Sequence, residues 1–357
     1  MIAAVTTSKY MPPWRADSSF QHYKNENYLN QNEIDLIKKW VETGKEKGVS
    51  VKVKKAKPIK EQKSNNKLEI GYHKSFIVEG DNREEFRFFH LPSKLDQPRF
   101  IKSIEFVPGN KGVVHHSRIM IDTTNEISGI DGMSEEDPSI LNFQKKPLAD
   151  PFLFGWVPGN NKITFPPGIG KRFYANSDFI LNVHYAPSPI KIKDSSSIKI
   201  EFANETIERE ALTLTLTENN ISNQPFELLP NKIATFYMRS AVLKDSISLI
   251  SIMPHMHLLG QSFKSYAITP NGEVIPLVNV PKWDFNWQTT YTFNKFILLP
   301  KGSVIYGQAV YDNTLNNPLN PNNPAKLVKY GWGSKDEMMN LVIYYVPYQK
   351  GDEHIQR

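Results

Sequence analysis

Apolar residues near the N-terminus recur at the spacing of an amphipathic helix. Within residues 29–44, Asn30 can cap the first turn and Glu33 follows three positions later, as in a capping box. Gly44 can end the helix. The apolar side chains of one face are Ile34, Ile37 and Val41. The pattern therefore predicts one helix over residues 29–44.

From Leu68 onward the pattern changes to short apolar segments separated by turn residues, which is typical of β-strands. The clearest predicted strands are Phe86–Leu91, Ile101–Phe106, Ser117–Ile121, Phe179–His184, Ile198–Phe202, Leu212–Leu216, Ile233–Met238, Leu249–Met253, Phe296–Leu299, Val304–Tyr311 and Leu341–Val346. Between Ala267–Ile268 and Val274–Leu277, the sequence Pro270-Asn271-Gly272 predicts a hairpin turn. No second helix of comparable quality is predicted. The chain is therefore expected to be mainly β and built of sandwiches.

The length of 357 residues favours two domains over one core. The region after residue 68 is long enough for two sandwiches, and we place the boundary at Asn204-Glu205-Thr206. This divides the chain into residues 1–50, a linker 51–67, and two sandwich domains over 68–205 and 206–357.

A net charge of +6 would be consistent with nucleic-acid binding if it were spread over a folded face. The excess instead lies in residues 51–67, which hold seven lysines and one acid, Glu61. The rest of the chain is neutral on balance. We interpret residues 51–67 as a solvated linker and expect no nucleic-acid partner.

The absence of cysteine excludes disulfides, thiolate zinc sites and covalent c-type haem in this chain. No apolar run approaches the roughly 18 residues that a membrane helix needs, so no membrane segment is expected. Residues 1–10 lack the charged and apolar regions of a signal peptide. The sequence thus predicts either a cytoplasmic protein or a chain whose natural N-terminus is missing.

Histidines provide the first candidates for chemistry. His255 and His257 follow an apolar strand, and residues two apart on a strand share a face, so their imidazoles can hold one metal ion. His115 and His116 are adjacent and would point to opposite faces of a regular strand. Both can reach one metal only if the backbone bends or bulges. His184 ends another predicted strand.

Methionine adds a soft candidate ligand, because a thioether favours Cu(I) over zinc or magnesium. Met338 and Met339 lie just before the strand Leu341–Val346. Methionines are more often core residues, and spacing alone assigns neither of them to a metal.

Taken in order, four motifs resemble the copper type II, ascorbate-dependent monooxygenases, the family of peptidylglycine α-hydroxylating monooxygenase and dopamine β-monooxygenase. They are Val114-His115-His116, Asn182-Val183-His184-Tyr185, His255-Met256-His257-Leu258-Leu259-Gly260 and Asp336-Glu337-Met338. The resemblance covers residues 68–348, and the tract Trp283-Asp284-Phe285-Asn286-Trp287-Gln288 is similar to bacterial members.

The resemblance implies two copper ions with different tasks. His115, His116 and His184 would hold the copper that stores and passes an electron, and His255, His257 and Met338 would hold the copper where dioxygen reacts with a substrate C–H bond. It also implies two tandem jelly-roll-like antiparallel sandwiches, with one site on each, facing across a solvent-filled cleft. The reductant would be ascorbate or an equivalent one-electron donor.

The chain departs from the peptide-amidating members where they anchor a substrate carboxylate. Met253 stands in place of an arginine and Val342 in place of a tyrosine, whereas Asn340 is kept. The departures predict a small organic substrate that is neutral or apolar rather than a peptide carboxylate.

The N-terminal segment has its own resemblance. Met11-Pro12-Pro13-Trp14 and the helix that follows are similar to the end of a c-type cytochrome domain found before the monooxygenase part of some bacterial members. We therefore interpret residues 1–50 as a helical remnant without haem. The resemblance implies export of the full-length protein to the periplasm or outside the cell, and a cytochrome as a candidate electron donor.

Two other functions stay open at this point. Three histidines and a water can also form a catalytic zinc site, which would make the protein a hydrolase. A copper-binding chain without catalysis is the other alternative.

Overall fold

A computed structural model describes residues 1–24, 26–48, 66–124, 126, 129–143, 148–158, 162–331, 333 and 335–355. Most of the linker predicted over residues 51–67 therefore lies outside the described residues. The helices are α1 (Ile2–Thr7), α2 (Gln31–Glu42) and α3 (Pro138–Phe143), with 3₁₀ turns at Glu218–Asn220 and Asp352–His354. All other regular elements are strands, which confirms a mainly β chain.

The first thirteen strands are β1 (Lys67–Gly71), β2 (Phe76–Val78), β3 (Glu85–Leu91), β4 (Arg99–Val107), β5 (Val114–Asp122), β6 (Met133–Ser134), β7 (Asp150–Trp156), β8 (Ile163–Thr164), β9 (Ile169–Phe173), β10 (Asp178–Tyr185), β11 (Ile192–Asp194), β12 (Ser197–Phe202) and β13 (Arg209–Glu210). One sheet has the order β1-β12-β4-β9-β13, with β8 beside β4, and the other has the order β6-β3-β10-β5-β7. A separate pair joins β11 and β2.

The remaining strands are β14 (Leu212–Leu216), β15 (Glu227–Leu228), β16 (Ile233–Arg239), β17 (Ile247–His255), β18 (Gly260–Ile268), β19 (Val274–Val280), β20 (Tyr291–Leu299), β21 (Val304–Asp312), β22 (Val328–Lys329) and β23 (Asn340–Pro347). They form sheets with the orders β14-β23-β17-β20 and β16-β21-β18-β19, and a pair of β15 with β22.

Side chains of each pair of large sheets share an apolar core. The core of the first pair continues into the second group of strands, because Met253, Val342 and Tyr344 belong to it. Tyr344 also donates a 3.0 Å hydrogen bond to the carbonyl of Leu153. The two groups of sheets are therefore packed directly against each other.

The position of strand β13 is relevant to the predicted domain boundary. Arg209–Glu210 pairs in parallel with Ile169–Gly170 of β9, so the first sheet recruits residues beyond position 205. The predicted boundary at Asn204-Glu205-Thr206 lies just before this strand and stays a prediction.

The N-terminal segment contains the predicted helix. The side chain of Asn30 accepts a hydrogen bond from the backbone N–H of Glu33, and the side chain of Glu33 accepts one from the backbone N–H of Asn30. The predicted capping box is therefore confirmed. Ile34 is buried on the predicted apolar face. The helices α1 and α3, six residues each, were not predicted.

Each strand predicted from the sequence is present, and so is the hairpin around Pro270-Asn271-Gly272. Several strands were not predicted, among them β7, whose Pro151 and Gly155 interrupt the alternation that identifies a strand. No helix of the described part of the chain is long and apolar enough to cross a membrane.

Candidate metal centre

A β-bulge brings the first three histidines together. In the pairing of β5 with β10, His184 lies opposite His116, but the next residue, Tyr185, lies opposite Val114. His115 is therefore the extra residue of a bulge, which turns its side chain toward the same side as His116. From the sequence, a bend or bulge was required for His115 and His116 to reach one metal ion, and the structure has this bulge.

The Nδ1 atoms of the three imidazoles converge. Nδ1 of His116 lies 3.3 Å from Nδ1 of His115 and 3.2 Å from Nδ1 of His184. A carboxylate oxygen of Glu84 lies 2.5 Å from Nε2 of His184. A carboxylate on the far nitrogen orients the ring and leaves Nδ1 for a metal ion. The ring of Phe86 stacks on His184 at 4.2 Å, which fixes the ring further.

Burial favours the neutral form of His115 and His116. It lowers the pKa of His115 to about 4, with the charge of His184 acting in the same direction. Burial likewise lowers the pKa of His116 well below its usual value. A neutral imidazole is the form that binds a metal ion, so these two side chains have their ligand form at neutral pH.

His255 and His257 lie where β17 ends, and hydrogen bonds fix which nitrogen each can offer. Nδ1 of His255 lies 2.7 Å from Oε1 of Gln288, and Nδ1 of His257 donates to the carbonyl of Asp336 at 3.1 Å. Nε2 is thus the nitrogen of each ring that can bind an ion. Burial lowers the pKa of both rings, that of His257 to about 3.

Glu337 joins the segment of Met338 to the turn after His257. Its buried carboxylate accepts backbone hydrogen bonds from His257 at 2.9 Å and Leu259 at 2.6 Å, and from Met338 at 3.2 Å. Burial raises the pKa of Glu337 to about 8, and the three amide donors oppose that rise. The thioether of Met338 lies 3.4 Å from the Nδ2 atom of Asn340.

The two groups of ligand candidates lie close to each other. The ring centroids of His116 and His255 are 6.3 Å apart. Phe285 lies between the groups, 4.7 Å from the ring of His115 and 5.8 Å from that of His257. The two groups therefore adjoin each other, and the solvent-filled cleft expected between them stays a prediction.

A cavity of about 320 Å³ opens beside these side chains. His116, His255, His257 and Met338 line it, together with the three positions predicted to bind substrate, Met253, Asn340 and Val342. Most of the remaining wall is apolar, with Phe152 and Trp156 from β7. A largely apolar cavity with a few polar groups is the usual form of a small-molecule site.

The donor set fits copper. Nδ1 of His116 lies within 3.3 Å of both other Nδ1 atoms, and ligand nitrogens of all three imidazoles lie within 4.8 Å of one another, so the triad can surround one ion. Two further imidazoles and a thioether line the adjacent cavity. Sulfur and imidazole ligands together favour copper over hard cations.

The roles of several residues around the site could not be predicted from the sequence. Glu337, Phe285 and Gln288 stand in motifs that carry the resemblance, but nothing in their spacing shows what they contact. Glu84 and Arg118 belong to no motif. Their contacts depend on strand pairing across long stretches of chain, which a single segment does not reveal.

Comparison with known proteins supports this chemistry. Residues 219–354 match the model of a family described as copper type II ascorbate-dependent monooxygenase, C-terminal domain. The match includes His255, His257 and Met338. No curated protein sequence matches the chain.

Solved structures share little sequence with the chain. A recombinant peptide:N-glycanase F is 10% identical over 78% of this chain and 96% of that chain, with a TM-score of 0.34. The major capsid protein P2 of bacteriophage PM2 is 7% identical over 80% of this chain and 98% of that chain, with a TM-score of 0.30. Similarity this low assigns neither fold nor function.

Proposed function

We propose that this chain, whose residues 219–354 match the model of the C-terminal domain of copper type II ascorbate-dependent monooxygenases, hydroxylates a C–H bond of a small organic substrate with dioxygen. The reaction breaks one C–H bond and forms a C–OH group. The second oxygen atom leaves as water with two protons. The two electrons come from two molecules of a one-electron donor, for which ascorbate is the candidate.

The convergence of the ligand candidates at one cavity carries this proposal. Side chains from β5, β17 and the segment before β23 reach the same 320 Å³ space, although they are far apart in sequence. His184, His255 and His257 each have a hydrogen-bond or ion-pair partner on one ring nitrogen, which leaves the other nitrogen for an ion. Such outer partners are typical of metal-binding histidines.

The two groups suit different tasks. Copper bound by three imidazoles would cycle between its two oxidation states and store an electron, and copper bound by His255, His257 and Met338 would favour the reduced state that reacts with dioxygen. The chain's own residues position the ligands: Gln288 holds His255, Asp336 holds His257, and Glu337 holds the backbone beside Met338. The wall of the cavity is mostly apolar.

The finer organisation belongs to the same proposal. We propose the division into residues 68–205 and 206–357 as two jelly-roll-like copper sandwiches, which the resemblance and the two pairs of sheets support. Residues 1–50 would be the remnant of a cytochrome c-like domain. A periplasmic or secreted location and a cytochrome donor would follow from that remnant.

Oxygen uptake with mass analysis of products over a substrate library tests the activity. We expect copper-loaded protein to consume dioxygen with ascorbate and to form a product heavier by one oxygen atom. Retention of zinc alone, or copper binding with no product from any substrate, would instead support the hydrolase or the non-catalytic alternative.

Replacing Met338 with Ile tests the assignment of the thioether. Isoleucine keeps an apolar side chain of similar size but has no sulfur ligand. We expect Met338→Ile to keep copper at His115, His116 and His184 and to lose turnover by at least a hundredfold, or about 3 kcal/mol in activation free energy. Met339→Leu, a change at the neighbouring buried methionine, is the control and should keep its activity. Full activity of Met338→Ile would contradict the assignment.

A further inference from the structure

A second pair of polar residues follows the histidines on the face of the β5–β10 ladder. His116 lies opposite His184, and two residues further along, Arg118 lies opposite Asn182. Residues two apart share a face of the sheet, about 7 Å from each other along the strand. Arg118 and Asn182 therefore face the same side as the histidines.

Both side chains line the cavity that contains the ligand candidates. Asn182 is 4% exposed, and its Nδ2 atom has no hydrogen-bond partner among the described residues. A buried amide donor without a partner costs free energy, which a bound acceptor would recover. This wall of the cavity thus presents an amide donor beside a guanidinium group.

A guanidinium group carries a positive charge in proteins. No carboxylate is among the described residues that line the cavity.

The facing wall is apolar. Gly155 of β7 lies opposite Arg118 in the ladder, and a Cβ built on Gly155 would lie 3.6 Å from the Cε atom of Met253. Met253 and Val342, the two positions where the resemblance predicts the loss of an anion anchor, therefore lie across the cavity from a cation on the other sheet. Loss of those anchors does not leave the cavity without positive charge.

We propose that Arg118 and Asn182 bind the carboxylate of a small substrate whose apolar body lies along Met253 and Val342. This inference rests on the proposed monooxygenase function and names the substrate class: a small apolar monocarboxylate. The guanidinium and the amide donate to the carboxylate oxygens, and the apolar end reaches the ligands His255, His257 and Met338. The carboxylate itself is unchanged by the reaction.

Binding to the metal-free protein tests this assignment separately from catalysis. The probes are small aryl and alkyl carboxylates, such as phenylacetate and 4-phenylbutyrate, each beside its primary amide, titrated by calorimetry. The acid and the amide have nearly the same shape, so their difference reports the charge. We expect at least one acid to bind about tenfold more tightly than its amide. If no acid is preferred, the proposal is wrong, and this comparison needs no variant.

Variants show which residues cause the preference for the acid over its amide. Arg118→Gln should abolish this preference, whereas Arg118→Lys should retain part of it. Asn182→Asp places an acid beside Arg118 and should also abolish the preference. It provides the same test if Arg118→Gln does not fold. Arg172→Gln is the matched control, because Arg172 lies on β9 of the other sheet and does not line this cavity. A preference that survives both Arg118→Gln and Asn182→Asp would overturn the assignment.

The outcomes separate the two proposals. Acid-selective binding without oxygen uptake would support the anion site and contradict the monooxygenase function. Oxygen uptake with equal binding of acids and amides would support the monooxygenase function and contradict the anion site. Where a carboxylate substrate is turned over, Arg118→Gln should raise KM about tenfold or more and change kcat less.

Discussion

Glu337 has a buried carboxyl group that sits among backbone amides rather than beside a cation. Its two oxygens accept from His257, Leu259 and Met338, so one side chain ties the turn after β17 to the segment before β23. Two of these amides belong to ligand candidates. The position of the thioether relative to His257 therefore depends on Glu337.

Replacing Glu337 with Gln tests this dependence. The amide keeps the shape of the side chain but replaces one acceptor oxygen with a donor, which faces backbone N–H groups. We expect Glu337→Gln to lower the free energy of unfolding by about 1–3 kcal/mol. X-ray absorption of copper(I)-loaded protein should show a weaker copper–sulfur contribution while the histidine contribution remains.

Glu353→Gln is the control, because Glu353 is a carboxylate in the same half of the chain that touches none of these amides. It should match the unmodified protein in stability and in the copper–sulfur contribution. A normal sulfur contribution in Glu337→Gln would show that the thioether is held by other contacts.

At the scale of elements, the β5–β10 ladder explains what the sequence could and could not predict. Strand positions follow from runs and alternation of apolar residues, and those predictions were confirmed. The meeting of His115 with His116 depends on a bulge, which moves one residue without changing the apolar pattern. The pattern could state the condition for a shared site but could not show that it was met.

The sequence also could not predict which residues are neighbours across paired strands. Arg118 and Asn182 lie side by side because of pairing between residues 64 positions apart. Asn182 stands in one of the four motifs, but nothing in that motif shows that it faces Arg118. The helix α2 was easier, because its capping box and apolar face lie within one short segment. Local signals fix elements, whereas register decides which side chains share a cavity.

The connection from β17 to β18 contains a close approach at Gly260. A Cβ at this position would lie 2.9 Å from the Cδ1 atom of Trp283 and 2.9 Å from the Cε atom of Met256. Trp283 donates through Nε1 to the carbonyl of His257 at 3.2 Å. A larger residue at Gly260 therefore displaces a side chain that holds the backbone of a ligand candidate.

We expect Gly260→Ala to lower the free energy of unfolding by about 1–3 kcal/mol through overpacking. It should also weaken copper binding at His255 and His257 more than at the three-histidine group, as measured by competition with a copper chelator. Gly48→Ala is the control, since no atom of the described residues lies within 4 Å of a Cβ there. Equal weakening of both groups would point to a general loss of structure instead.

At the scale of the whole molecule, the N-terminal segment packs against the second group of sheets. Tyr23 forms a bridge with Phe293 and donates a 2.7 Å hydrogen bond to the carbonyl of Leu277. Trp14 contacts Tyr23 and Tyr291 with its ring. Residues of the predicted haem-free remnant thus form part of the outer packing of the C-terminal half.

Arg15 extends this contact toward the metal centre. Its guanidinium donates to the carboxylate of Asp284, and both side chains are largely buried. Asp284 begins the short segment that carries Phe285 and Gln288, and these two residues contact His257 and His255. An ion pair with the N-terminal segment therefore supports the segment that orients both histidines.

Replacing Arg15 with Ala should loosen that segment, because Asp284 is left in a largely buried position without its cation. We expect a loss of about 1.5–3 kcal/mol in the free energy of unfolding, the range for a hydrogen bond to a charged group. Copper retention at His255 and His257 should fall as well, since Gln288 no longer holds its ring partner in place. Lys38→Ala is the control, because Lys38 forms an exposed pair with Glu42 on α2, and exposed pairs contribute little. Thermal unfolding measures the change in stability, and competition with a copper chelator measures copper retention. If Arg15→Ala equals Lys38→Ala in stability and in copper retention, the segment keeps its position without the N-terminal contact.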